Sequence, residues 1–176
     1  ANPDNRVKDD PGACVKGDDY LYYDASKDVL EINGQVAIDG DLEFKGKGND
    51  TTVYYTGRGT IMVRDDVTMN TNLLACNNGD PDDYVGSFPE KNIMGIMSAN
   101  NITMGVSSQL ELMGAFYAQD TIKSSKQTVV MGTYVANYFD MGSQVPDIYQ
   151  VPDLAKNLPI GMIGNWPLRV YSQVSW

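Results

Sequence analysis

The chain has no histidine, only two cysteines, and no apolar run long enough to span a bilayer. The missing histidine excludes Ser-His-Asp and Cys-His catalysis and the usual zinc sites. Basic residues are few: 13 Lys and Arg stand against 23 Asp and Glu, so the formal net charge is −10. Because no basic patch is present, binding to nucleic acid is not expected. No phosphate loop or paired-cysteine motif occurs either, and we predict no cofactor.

What the sequence does contain is a repeat. Residues 36–44 align without a gap on 61–69, and 96–104 give a third copy, each with two short alternating strands around a polar corner. In the first two copies the predicted inward residues are Val36, Ile38, Leu42, Phe44, Ile61, Val63, Val67 and Met69. In the third copy, either Ile96 and Ser98 or Met97 and Ala99 point inward, since a one-residue slip inverts the pattern.

A second repeat consists of Met-Gly pairs that begin at Met94, Met113 and Met131. An alanine follows five residues after each Met, and we predict that these residues, Ala99, Ala118 and Ala136, form a column inside the fold. Repetition at this period is typical of a solenoid, and alternation without a helical period favours strands. We therefore predict an all-β, single-domain β-helix. Its expected parts are an irregular N-terminal arm and cap (1–28), coils over 29–145 with a side insertion at 70–92, and a Pro-rich C-terminal tail with a last strand (146–176).

The two cysteines, Cys14 and Cys76, lie in polar, turn-rich stretches. We predict a disulfide that ties the arm to the 70–92 insertion; two unrelated thiols are the alternative. A disulfide implies an extracellular or periplasmic protein, and we predict an extracellular or cell-surface location. The chain opens at Ala1 without a signal-like segment, which indicates a processed product or a trimmed chain.

Three phrases carry a family resemblance: Gly40–Phe44, Met113–Ala118 and Ile148–Leu154. They resemble the β-helical domains attached to PilX-type pilus-assembly proteins, and the coil style is similar to that of bactofilin-like polymer-forming proteins. The resemblance covers about residues 29–176. It implies a structural role at the cell surface and no catalytic residues.

Carboxylates are the remaining candidates for chemistry. Stacked repeats bring together Asp39, Asp41, Asp65 and Asp66, which could serve a lyase or glycosidase, although Asp also suits turns and we favour corner positions. Calcium could bind either of two acidic sets, although solvated loops are the favoured interpretation and we predict no metal. The sets are Asp80, Asp82 and Asp83, and Asp18, Asp19 and Asp24.

The function we predict is non-enzymatic: a subunit or accessory of a self-assembling surface filament or pilus. Its partners would be further copies, joined head to tail through residues 1–20 and 146–176, or other surface-appendage proteins. The alternative is a glycan-binding adhesin that uses a tyrosine-rich face. The tyrosines considered for that face are Tyr20, Tyr22, Tyr23, Tyr54, Tyr55, Tyr117, Tyr134 and Tyr138.

Overall fold

The computed structural model describes residues 13–16 (backbone only), 18–45, 52–76, 87–105, 109–142 and 144–163. These residues are almost entirely strands and turns. The strands in chain order are β1 Ala13–Lys16, β2 Asp19–Asp24, β3 Val29–Ile38, β4 Leu42–Phe44, β5 Thr52–Val63, β6 Val67–Met69, β7 Asn72–Ala75, β8 Ile93–Ser98, β9 Ile102–Met104, β10 Leu110–Ala118, β11 Thr121–Ser124, β12 Thr128–Val135, β13 Tyr138–Asp140 and β14 Asp147–Tyr149. One short helix follows, α1 at Leu154–Asn157.

The strands form two sheets. The larger has nine strands in the order β1-β2-β3-β5-β7-β10-β12-β14, with β8 pairing both β5 and β10; the smaller has five, in the order β13-β11-β9-β6-β4. Pairing is parallel except where β2 meets β1 and β3. No helix within the described residues is long and apolar enough to cross a membrane.

The predicted β-helix is wrong. The described strands make a large mixed sheet and a smaller parallel one, and not a closed solenoid. Strands of 10 and 12 residues in the larger sheet stand against three-residue strands in the smaller one, and an antiparallel hairpin ends the larger sheet. The physical reason is that a sequence repeat specifies which strands pair and in what register, but it does not require that each turn of chain closes.

The predicted repeat register is confirmed by the pairing. Val36 pairs with Ile61, and Ile61 pairs with Ile96. In the smaller sheet, Val67 stands between Leu42 and Ile102 in the same way. Both rows contribute to one hydrophobic core, in which Ile61, Ile96, Val67 and Ile102 are all fully buried. Each such side chain contributes roughly 1.5–3 kcal/mol of burial free energy, so the rows are the main stabilising element.

The structure also decides the ambiguous third copy. Ile96 and Ser98 are buried, at 0% and 1% exposure, whereas Ala99 is exposed. The predicted alanine column is therefore wrong: Ala118 pairs with Ser98, because the register between β8 and β10 is shifted by one residue from the Met-Gly alignment. The pairing of Met113 with Met131 is confirmed.

The predicted side insertion at 70–92 begins as part of the sheet. Within this insertion, β7 pairs with Thr52–Tyr55 of β5. The strand that follows the insertion, β8, pairs with Arg58–Val63 of the same strand. Two separate strands therefore share one row of the larger sheet, end to end. Asn92 links the two, since its side chain accepts a hydrogen bond from Gly57 N (2.7 Å) and donates one to the Cys76 carbonyl (2.8 Å). The end of the insertion is thus bound to the sheet.

Inward and outward positions should differ sharply in tolerance to charge. Replacing Val63, which is 3% exposed, by Asp buries an unpaired carboxylate, and we expect loss of several kcal/mol or outright unfolding. Ala37→Asp, at an exposed position of β3, should change stability by no more than about 0.5 kcal/mol. Urea unfolding followed by circular dichroism measures both; equal effects at the two sites would contradict the register.

Alkaline pH should destabilise the fold. Tyr23 donates to Asp28 Oδ1 at 2.5 Å, and this hydrogen bond, with burial and the nearby carboxylates, raises its pKa from 10.0 to about 12. Burial also raises the pKa of Tyr55 and of Tyr134. Because the folded pKa values exceed the unfolded one, their stabilisation is complete below pH 10 and is lost as pH rises through 12 and beyond.

Thermal unfolding between pH 8 and 12 measures this loss. We expect Tyr23→Phe, which cannot ionise, to be less stable at pH 8 but to lose less on going to pH 12. A wild-type melting temperature that stays constant above pH 10 would contradict the assignment.

Candidate assembly interface

Among the described residues, the core rows end without a final covering layer. Val130 and Ile122, at 0% exposure, are the last fully buried members of two rows, and their partners in the next strands are Ile148 and Phe139. Those partners face the same way but are 48% and 51% exposed. No described residue stacks on their far side, so the described part of the core is uncovered at this end.

We call this region the end face and define it by β13, β14 and the connection between them. Both are strands of three residues at the last position of their sheets. Tyr138 is 67% exposed, Val145 73% and Tyr149 59%. Exposed apolar side chains beside open strand edges are typical of surfaces that bind another chain, since such edges invite strand addition.

The opposite end of the larger sheet is β1, whose backbone pairs only with β2 among the described strands. The larger sheet therefore has a different strand at each end, antiparallel β1 and parallel β14. A contact between these unlike ends would be heterologous. Most of the predicted contact segment 1–20, residues 1–12 and 17, lies outside the described residues.

The described part of the C-terminal tail is bound to its own chain. Arg58 Nη1 donates to the carbonyls of Pro89 (3.0 Å) and Glu90 (2.5 Å), and Nη2 donates to that of Asn157 (2.9 Å). Leu154 and Met162 are buried, at 4% and 3% exposure. Residues 152–163 thus pack on the outer face of the larger sheet. Residues 152–163 are therefore not an arm that is free to reach a neighbour. Of the predicted contact segment 146–176, this leaves residues 146–151 in the described part, and residues 164–176 lie outside the described residues.

The four candidate catalytic carboxylates do come together, at the corner between the sheets. Asp41 Oδ1 accepts a hydrogen bond from Asp66 N (3.0 Å), and Asp66 Oδ1 accepts from both Asn101 N (3.1 Å) and Asn101 Nδ2 (3.0 Å). Arg64 forms ion pairs with Asp39 and Asp65. The carboxylates of Asp39, Asp41 and Asp66 each join one row to the next, and that of Asp65 pairs with its chain neighbour Arg64. Each carboxylate is thus engaged at the corner, as expected for turn residues.

The acidic candidates for calcium are placed as follows. Asp19 and Asp24 are the first and last residues of β2, about 16 Å apart at strand rise, which is too far to share one cation. Asp24 instead accepts from Ser26 N (2.9 Å) and Ser26 Oγ (2.6 Å), which lowers the pKa of its carboxyl. Asp80, Asp82 and Asp83 lie outside the described residues. Within the part that is described, no group of three potential ligands is found.

The tyrosines do not form a single stripe. Tyr55 is fully buried, and Tyr134 is half-buried, packing edge-on against Phe116 with ring centroids 5.5 Å apart. Tyr20 and Tyr22 pair with Asn33 and Glu31 on the outer side of β3. The prediction of an adhesin rested on the number of tyrosines, without an assignment of each side chain to the inner or outer face of the sheet. In the structure, the tyrosine-rich face predicted for an adhesin is divided between inside and outside.

The predicted Cys14–Cys76 disulfide is not supported by the strand order. Cys14 lies in β1, whereas Cys76 follows β7 and donates its backbone N–H to Tyr55 of β5. Three strands, β2, β3 and β5, lie between them in the sheet. Four strand spacings amount to about 19 Å, whereas a disulfide needs its Cα atoms within about 7 Å. The side chain of Cys14 lies outside the described residues, and the intact mass of unreduced protein is the deciding measurement.

The comparisons with known proteins give one structural neighbour. No family model and no curated protein matches the chain. The fold is similar to the crystal structure of the competence-associated pilin ComZ from Thermus thermophilus, with a TM-score of 0.58 and 16% identity. The match covers 85% of this chain and 36% of that one, so the chain spans about a third of the pilin's length. The predicted resemblance to pilus proteins is supported at this coarse level only.

The corner interpretation makes a prediction about Asp66. Asp66→Ala removes the acceptor of two hydrogen bonds, and at this exposed site we expect a loss of about 1 kcal/mol in unfolding free energy. Asp66→Asn keeps an acceptor oxygen and should recover most of it. Chemical denaturation measures both; an alanine variant as stable as the wild type would contradict a structural role.

Proposed function

We propose that the chain is a non-enzymatic structural component of a pilus-related assembly at the cell surface, and that it associates through the end face. The observation that carries the proposal is the open end of the core, where Phe139 and Ile148 occupy inward positions and yet are about half exposed. The likeness to a pilin in fold supports the same class of role.

The physical argument is that an uncovered row is an incomplete core. Burying Tyr138, Val145 and Tyr149 against a partner would remove apolar surface from water, at roughly 25 cal/mol per Å². The open backbone edges of β13 and β14 supply hydrogen-bonding groups that a partner strand can pair. We propose a second copy as the partner, docking its β1 end on the end face. Such a head-to-tail contact repeats without limit and gives a filament.

Self-association should depend on the end face. By sedimentation velocity we expect the average mass of the full chain to rise with concentration, and the double variant Val145→Glu/Tyr149→Glu to stay monomeric. Both positions are exposed, so the charges should weaken association without unfolding the chain. A loss of about 2 kcal/mol corresponds to roughly a 30-fold weaker contact.

The matched control for this experiment is Ile160→Glu. Ile160 is 59% exposed, as Tyr149 is, but lies on the tail segment away from the end face. It should associate like the wild type. A wild-type chain that stays monomeric at every concentration would contradict the proposal. So would an Ile160→Glu variant that loses self-association as fully as the double variant does.

Two adjoining clefts favour a second candidate function, the binding of a saccharide. A polar cleft of about 480 Å³ is lined by Asn72, Gln109, Glu111 and Gln127, and it adjoins an apolar groove that ends at Tyr149. Amide and carboxylate groups beside an aromatic ring are the usual contacts for sugars. Binding on a glycan array that Glu111→Ala abolishes, with no self-association, would favour this candidate over the assembly role.

A further inference from the structure

After β14, the chain turns back and crosses the outer face of the larger sheet. Val151 and Leu154 line a pocket together with Tyr117 of β10 and Val135 of β12. The contacts that follow along the chain lie on rows further back in the sheet, in the direction of β3. We call residues 150–163 the transverse segment.

Two contacts join the transverse segment to the first long strands of the sheet. The carbonyl of Asn157 accepts a hydrogen bond from Arg58 Nη2 of β5 at 2.9 Å. Gly161 packs against the side chain of Gln35 in β3, since a Cβ atom at Gly161 would lie 2.9 Å from Gln35 Cδ. The segment that leaves β14 is therefore attached to β5 and β3.

Between these contacts, the transverse segment lies over a row of small residues. Thr60, Gly95 and Ala115 pair side by side in β5, β8 and β10. The next residue of each strand belongs to the core, so these three face outward, and yet Thr60 and Ala115 are 0% exposed. Met162 packs over Gly95, where a Cβ atom would lie 2.7 Å from Met162 Cγ. The small side chains thus let the segment lie close to the sheet.

The contacts of the transverse segment span most of the larger sheet. The strand order places β5, the row shared by β7 and β8, β10 and β12 between β3 and β14. Five strand spacings amount to about 24 Å. A continuous segment of chain therefore runs along the direction in which the rows are stacked.

This direction is the one in which the sheet is weakest under load. The hydrogen bonds between neighbouring strands lie roughly along the stacking direction, so a force along it separates the rows one after another. The first contact to bear the load would be that of β12 with β14, which has three residue pairs among the described strands. The contact of β3 with β5 has ten. A segment fixed to both β14 and β5 passes the load from the weak contact to the strong one.

We propose that the transverse segment has a mechanical function: it is a brace that transfers tension from β14 to β5 and β3. Arg58 is its main anchor, because the same guanidinium also donates to the carbonyls of Pro89 and Glu90. The direction of the load in the cell rests on the proposed head-to-tail assembly, in which force on a filament acts along the stack. The brace itself is a property of the single chain.

Pulling on single chains with optical tweezers tests the brace. Handles are attached through an azide-bearing amino acid in place of Glu31 in β3 and of Asp147 in β14, both exposed, so that the force acts along the stack. We expect Arg58→Met to lower the unfolding force by about half, since forced unfolding reports the barrier along the pulling direction. Arg64→Met, whose ion pairs lie at the corner, is the matched control and should leave the force unchanged.

A second pair of variants separates bracing from general stability. Met162→Ala removes the packing over Gly95, whereas Ile122→Val shortens a fully buried side chain of the smaller sheet. Urea unfolding measures the stability that each variant loses without force. At equal loss of stability, we expect Met162→Ala to lower the unfolding force well below that of Ile122→Val. This pair also serves as the test if Arg58→Met does not fold.

Unfolding forces that respond to Met162→Ala no more than to Ile122→Val would overturn the proposal. So would an Arg58→Met variant that folds and unfolds at the wild-type force. Because single chains are pulled, these results do not depend on self-association. A braced chain that never self-associates would contradict the proposed function alone, and an assembling chain without a brace would contradict this inference alone.

Discussion

The rest of the structure depends on the parallel, in-register stacking of inward side chains. Ile61 lies between Val36 and Ile96, and Val67 lies between Leu42 and Ile102. Because each layer is covered only by its neighbours, burial is complete in the middle and must fail at the end. The half-exposed Ile148 is the direct result. The end face is therefore a product of the same constraint that builds the core.

Two corner aspartates serve the pairing of the backbone. At these turns between the sheets, a carboxylate accepts the backbone N–H of the following row, as Asp41 does from Asp66 and Asp66 does from Asn101. These hydrogen bonds align the rows without occupying the core. A cluster of aspartates that the sequence alone could assign to catalysis is thus explained by pairing of the backbone. The surface keeps its negative charge, and the described part of the chain shows no constellation for acid–base chemistry.

Local sequence predicted much of the pairing and little of the tertiary arrangement. The alternation of Val36, Ile38, Ile61 and Val63 was sufficient to align β3 with β5, because side-chain direction has a period of two. Closure into a β-helix was a wrong inference, since strand length and the number of rows are not encoded in a repeat. The role of Arg58 also could not be predicted, because its three acceptors are backbone carbonyls that carry no residue-specific signal. The exposure of Ile148 could not be predicted for a related reason: the sequence around it is that of a core residue, and only the structure shows that no described row covers it.

The bond from Arg58 to Asn157 joins residues 99 positions apart. The other rows form between strands that are near in sequence, so a chain emerging from the ribosome can add them one after another as each strand is made. The outer side of β5 cannot be covered in that order. It must wait until α1 has been synthesised, and until then the sheet surface beside Gly95, on which Met162 packs, is uncovered. Docking of residues 152–163 would then be a late step of folding, and the stage before it would be more exposed to aggregation and to capture by chaperones.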